Sequence, residues 1–158
     1  MDGPAGERRP AGETALAAAY EYVDRRERTV AEVVRKLERL GVGPSAAAAA
    51  VAELTELGVL DDARYARLFA EDKRALEGWG SERIERALIG RGVERETVRD
   101  ALGGPGGEGE LERALVLLRQ RFPAPPADRR ERERALGVLL RKGYDGELAL
   151  DALRRHAG

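Results

Sequence analysis

Apolar positions along this chain recur on a long period. Leu37, Leu88 and Leu139 each lie four residues before a glycine (Gly41, Gly92 and Gly143), and Val33, Ile84 and Ala135 lie eight before. The glycines are 51 residues apart and are followed by Val42, Val93 and Tyr144. Apolar residues four apart share one helix face, and a glycine just past the last apolar turn suits a helix C′ position, where the backbone turns left-handed at little steric cost. A second helical pattern follows each glycine, so the chain reads as one helical unit used three times.

The pattern divides into a disordered tail over residues 1–12, helical repeat one over 13–58, repeat two over 59–102, a Gly-rich linker over 103–107 and repeat three over 108–158. In repeat one the first helix is expected to begin near Glu13 or Thr14, with Leu16, Ala19, Tyr20 and Val23 buried. Thr29-Val30-Ala31-Glu32 has capping-box form and starts the second helix. Gly43-Pro44-Ser45 opens the third, with Val51, Leu54 and Leu57 facing inward. Repeat two starts at Asp61-Asp62, either of which can cap. Tyr65, Leu68, Phe69, Asp72 and Leu76 are spaced as one stripe, Gly78-Trp79-Gly80 breaks the helix, and Ser81 caps the next, which carries Ile84, Leu88 and Ile89. Glu94 to Leu102 supplies the third helix. The glycines at 103–107 permit a hinge between repeats two and three. Repeat three offers Leu111, Leu115 and Leu118, a Pro-rich loop at Phe122 to Pro126, an arginine-rich helix to Lys142 and a last helix through Leu148, Leu150 and Leu153. No segment alternates as a strand would. The expected fold is all-α, three tandem three-helix repeats forming an elongated curved array.

Composition agrees with such an array: 36% of the residues are charged and 4% aromatic, which describes a shallow interior stabilised by stacking of units. The formal net charge of −1 excludes a simple polycation that coats nucleic acid. There is no cysteine, so disulfides and thiolate metal sites are ruled out. No signal-peptide core or membrane-spanning run is present, which makes the cytoplasm the expected compartment and a membrane partner unexpected.

Groups able to carry catalysis are scarce, and no enzyme, metal site or cofactor is expected. His156, the only histidine, lies in the last turn and reads as a solvated side chain. Asp61 and Asp62 read as caps, since one adjacent pair does not supply the oxygens a divalent cation needs. Gly103 to Gly107 lacks the Lys-Ser/Thr of a phosphate loop. Trp79, flanked by glycines, is either a presented anchor or the packing of a turn. Arginine carries the clearest functional signal. Of 28 basic residues only Lys36, Lys73 and Lys142 are lysine, and arginine suits bidentate contact with carboxylate or phosphate. Arg28, Arg35 and Arg39 lie near one face in repeat one, Arg83 and Arg86 on the corresponding helix of repeat two, and Arg130, Arg134 and Arg141 in repeat three. Either a basic track or a solvated face neutralised by neighbouring glutamates fits this spacing. Residues 108–158 hold 11 basic and 9 acidic side chains against 6 and 8 in residues 13–58, which makes repeat three the better candidate for touching a polyanion.

These residues resemble the RecX family, modulators of the RecA recombinase. The resemblance rests on Leu60-Asp61-Asp62-Ala63-Arg64-Tyr65-Ala66-Arg67-Leu68-Phe69, then Asp72, Lys73 and Arg74, then Gly78-Trp79-Gly80. It is supported by Arg83-Ile84, Leu88, Arg91-Gly92-Val93 and Leu139 to Tyr144, and it covers about Thr14 to the C-terminus. It implies tandem three-helix repeats and a monomer bound in the groove of a RecA filament on single-stranded DNA. There it would suppress ATP hydrolysis, strand exchange and coprotease activity, within homologous recombination, DNA repair and the SOS response. The contact residues expected on this reading are Arg64, Lys73, Arg74, Trp79, Arg83 and Arg86, with Arg130, Arg134 and Arg141 touching DNA or filament. Tyr65, Leu68, Phe69, Ile84 and Leu88 are expected in the core. The rival readings are a helix-turn-helix DNA-binding protein and a general α-solenoid adaptor.

Overall fold

The computed structural model describes residues 11–103 and 109–158, so residues 1–10 of the tail expected over 1–12 and linker residues 104–107 lie outside the described residues, and residues 11 and 12 begin a helix rather than belonging to a tail. Among the described residues there are helices and no strand: α1 (Ala11–Arg25), α2 (Val30–Arg39), α3 (Pro44–Glu56), α4 (Asp62–Asp72), α5 (Ser81–Gly90), α6 (Arg95–Leu102), α7 (Glu110–Arg121), α8 (Arg129–Lys142) and α9 (Gly146–Ala157). Helix α4 runs on into a π-helical turn, Lys73–Glu77. The chain forms two compact units, one ending at Tyr65 and one spanning Ala66–Gly158.

The three repeat glycines do the same backbone work. Gly41, Gly92 and Gly143 have φ of 77°, 87° and 98°. In each case the amide after the glycine donates to the carbonyl of the repeat leucine, Val42 to Leu37, Val93 to Leu88 and Tyr144 to Leu139, at 3.0–3.1 Å. This is the Schellman closure, which satisfies carbonyls that a helix end leaves open. The side chains that the period aligns, Leu37, Leu88 and Leu139 with Val33, Ile84 and Ala135, are all fully buried. Burying each leucine contributes about 1.5–3 kcal/mol.

In the first unit Ala15 and Ala19 of α1 share a core with Val33, Leu37, Ala47, Ala50 and Leu54. Small side chains let α1 and α3 pack closely, which gives the Ala46–Ala50 run a structural use. Thr29 and Glu32 form the reciprocal capping box at the start of α2. Asp61 accepts from the Arg64 amide, and Asp62 accepts from the Val30 amide at 2.9 Å, so both aspartates serve helix ends.

In the second unit Ala114, Leu115, Leu117 and Leu118 of α7 join Ala135, Leu139, Tyr144, Ala149 and Ala152 in the core. Here the expected stripes shift. Leu68 and Leu76 are exposed while Ala66 and Ala70 are buried, and in α9 Leu150 is exposed while Ala149 and Ala152 are buried. Leu57 and Tyr20 of the first unit are exposed as well. The expectation ranked side chains by size, whereas closely packed helices place alanine at the line of contact and push the larger neighbours outward. The π turn adds a second cause for Leu76, because its extra residue per turn carries later positions off an α-helical stripe. His156 also departs from expectation: it is partly buried, and its Nε2 lies 2.7 Å from the Phe122 carbonyl oxygen, tying the end of α9 to the loop after α7.

Candidate interaction site at the Trp79 elbow

Gly78-Trp79-Gly80 turns the chain from the π turn into α5, and this elbow is docked on the end of α8. The Gly80 amide donates to the Lys142 carbonyl at 2.7 Å and the Glu82 amide to the Gly143 carbonyl at 3.0 Å. The first amides of α5 are thus satisfied by the last carbonyls of α8, two sets that helices ordinarily leave unpaired. The Tyr144 hydroxyl donates to the Gly78 carbonyl, and Lys142 Nζ donates to that of Glu77. Ser81 does not cap α5 as expected: Gly80 occupies the cap position without a side chain, and the Ser81 amide donates to Glu110 Oε1 of α7 at 2.7 Å. The hinge that composition permits between repeats two and three is therefore opposed by bonds that hold the two repeats in one unit.

Two glycines make the approach possible. A Cβ on Gly80, whose φ of −83° any residue can adopt, would lie 2.5 Å from the Gly143 carbonyl group. A Cβ on Gly143 would meet Arg83 Cβ at 2.3 Å in addition to the strain of its left-handed backbone. Gly41 has open space at the same point.

Glu110 is buried, 3% exposed, and besides accepting from Ser81 it accepts a charge-assisted bond from Arg113 at 2.8 Å. Arg74 reaches the Ser81 hydroxyl and the Leu102 carbonyl, and its Nε is buried without an acceptor. Burial pulls the Arg74 guanidinium below its ordinary pKa, and the charge of Arg113 adds to that, while Glu110 opposes it. Burial pushes the Tyr144 hydroxyl up to about 12, with Glu110 adding to the rise.

On the outside of the elbow, cations and rings alternate. Arg83 lies over the Trp79 ring at 4.1 Å, and Lys73 lies 4.7 Å from Trp79 and 5.5 Å from Phe69. Arg91 lies 4.8 Å from Phe69, and the two rings meet edge to face at 6.3 Å. Each cation–ring contact contributes about 0.5–1 kcal/mol when exposed and restricts where the charge can point. Lys73 also pairs with Glu77 at 2.8 Å, a hydrogen bond that holds the exposed Glu77 carboxyl below its ordinary pKa. A partly buried tryptophan held between cations is suited to an anionic partner surface, since a stacked guanidinium can still donate through its edge.

Of the residues singled out from sequence, Lys73, Trp79 and Arg83 come together here. Arg83 Nη1 also donates to the Arg141 carbonyl at 3.2 Å, which brings the end of α8 alongside. Arg86, Arg130, Arg134 and Arg141 are exposed. Arg64 belongs to the first unit, where it bonds the Gly58 and Val59 carbonyls and faces Glu27. Arg74 is spent between helices. Phe69 and Arg91 were not among the expected contacts, Phe69 having been assigned to the core; the spacing of Phe69 and Lys73, one helical turn apart, is the signal that could have found them. A smaller cluster in the first unit places Arg28 3.9 Å and Lys36 5.6 Å from the Tyr22 ring. No group of metal-ligating side chains occurs among the described residues, and none of their helices is long and apolar enough to cross a membrane.

The chain matches three family descriptions in order: the first three-helix domain of RecX over residues 15–54, the second over 61–102 and the third over 108–153. A regulatory protein RecX from Stenotrophomonas maltophilia is 37% identical over 156 residues, covering 98% of this chain and 92% of the relative. Another from Deinococcus radiodurans is 34% identical, covering 92% of this chain and 69% of the relative. Among solved structures, RecX from Lactobacillus salivarius superposes with a TM-score of 0.80 over 92% of this chain and 96% of that one, at 21% identity, a likeness of fold. With three domains matched in sequence and relatives aligned along nearly its whole length, this chain belongs to the RecX family.

Proposed function

We propose that this protein regulates a RecA recombinase without catalysing a reaction itself, by binding in the groove of the RecA filament on single-stranded DNA and suppressing ATP hydrolysis, strand exchange and coprotease activity. The observation that carries the reading is the match to all three RecX domains, whose relatives are named regulatory proteins. The contact surface runs through Lys73, Trp79, Arg83 and Arg86, extended by Phe69 and Arg91. Arg130, Arg134 and Arg141 supply further contacts to filament or DNA. The restrained cations of the elbow favour this surface, because a charge already oriented loses less entropy on binding. Several modest contacts to successive protomers add through effective concentration, and a bridge of that kind resists the cyclic rearrangements of ATP turnover. The protein acts as a monomer in the cytoplasm.

The test titrates the purified chain into RecA filaments while ATP hydrolysis is followed. Replacing both Arg83 and Arg86 by glutamate is expected to raise the half-inhibitory concentration at least about tenfold, with helicity and melting checked by circular dichroism. Inhibition at the wild-type concentration would remove these residues from the contact surface.

A further inference from the structure

A groove of about 500 Å³ opens beside the π turn and is lined by neither ring of the elbow. Its apolar part is made by Leu76, Val116 and Leu117, and Leu76 is the most exposed large hydrophobic side chain among the described residues at 81%. Arg74, Arg113, Arg121 and Lys142 also line it against one carboxylate, Glu77, which is already bonded to Lys73. The chain as a whole is slightly acidic, so this concentration of positive charge is local. A second groove in the same unit has the opposite sign: Glu82, Glu85, Asp145, Glu147 and Asp151 line it together with Arg99 and Arg154. The pair of buried Glu110 and half-buried Arg113 stands between the two, with Glu110 lining the acidic groove and Arg113 the basic one.

We infer that the basic groove is a docking site for a short acidic segment of a partner protein, one that sets leucine-sized side chains against Leu76 and Val116 and carboxylates against Arg121 and Lys142. One feature selects a peptide over a nucleic acid. A phosphate backbone would leave Leu76 and Val116 in water, whereas an acidic segment with apolar residues covers them and pairs the rim. A π-helical turn is a costly departure from α geometry that recurs at functional sites, and here it projects Leu76 into the groove. The site shares no side chain with the Trp79 surface, so it stands or falls separately from the filament contacts proposed above.

Fluorescence anisotropy with the full chain tests it, using a short labelled peptide of alternating aspartate and leucine. The same peptide with asparagine for aspartate, or with alanine for leucine, is expected to bind at least about tenfold more weakly. Leu76→Asp and Arg121→Glu, both at exposed positions, should each weaken binding of the acidic peptide about tenfold. Val116→Ser provides a second reading of the apolar contact should Leu76→Asp alter the melt. Arg95→Glu, an exposed charge reversal on α6 outside the groove, should leave affinity unchanged. The inference is overturned if the wild-type chain does not bind the acidic peptide, or if binding ignores both Leu76→Asp and Val116→Ser. It is overturned equally if labelled oligothymidylate is held instead, in a manner that depends on Arg121 and not on Leu76, which would make the groove a nucleic-acid site.

Discussion

Helices α2 and α5 occupy the same place in successive repeats, their cap residues Thr29 and Gly80 lying 51 positions apart, yet their first turns are satisfied in opposite ways. At α2 the threonine and Glu32 close a capping box within four residues of chain, helped by Asp62 from the same unit. At α5 the cap has no side chain, and the first amides are taken by Lys142, Gly143 and Glu110 of repeat three. Helix ends finished inside one compact unit leave that unit able to pack by itself. A repeat that borrows them is bound to its lender, and the compact units divide accordingly, with repeats two and three together after Ala66.

Trp79 is the only tryptophan and lies in the second unit, so its fluorescence reports that unit selectively. The largest test removes the borrowed carboxylate. Glu110→Ala leaves the Ser81 amide and Arg113 without it, and should lower the stability read by Trp79 during urea unfolding by about 3–5 kcal/mol. A loss of a few tenths would mean that the borrowed cap is not what joins the repeats.

Alkaline titration addresses the same seam with a smaller effect. The Tyr144 hydroxyl has a folded pKa of about 12 against an ordinary value of 10. Its contribution is fully present below pH 10, where the hydroxyl is neutral in both states, and is lost as the pH rises towards 12 because the unfolded chain ionises first. About 2–3 kcal/mol should disappear across that window. Tyr144→Phe should flatten this part of the profile, and an unchanged profile would detach the Tyr144–Gly78 bond from stability. The smallest effect belongs to α2. Thr29→Ala should cost about 1 kcal/mol, visible in far-ultraviolet circular dichroism, while the Trp79 midpoint stays where it was. A moved Trp79 midpoint would show that the first unit is not independent in this sense.

The same contrast explains what could be read from sequence. The repeat glycines, the Schellman closures and the Thr29–Glu32 box are local patterns, and the residues that complete them are a few positions away. The closure of α5 was not legible, because residues 80 and 143 are brought together only when two repeats dock, and Ser81 looks like a cap until Glu110 is placed beside its amide. The core was legible at the repeat positions and at Ala19, and misread where alanine rather than a nearby leucine makes the contact, as at Ala66, Ala70, Ala149 and Ala152, since size ranks hydrophobicity but not closeness of approach. For the candidate site, Lys73, Trp79 and Arg83 could be named on the family resemblance, with charge and the isolation of Trp79 in support. Their pairing with Phe69 and Arg91 depends on the turn through the elbow. The basic groove left little trace, as the π turn that exposes Leu76 has no simple sequence signature.

The two bonds from Gly80 to Lys142 and from Glu82 to Gly143 are made of peptide groups alone. What stands at Ser81 or Lys142 can vary in chemistry without touching those bonds, but at Gly80 and Gly143 nothing larger than a hydrogen atom fits between the chains. Substitution at this seam is therefore limited by volume at two positions and nearly free of it at their neighbours, so surface charge beside the elbow can be rewritten while the angle at which it is presented stays the same.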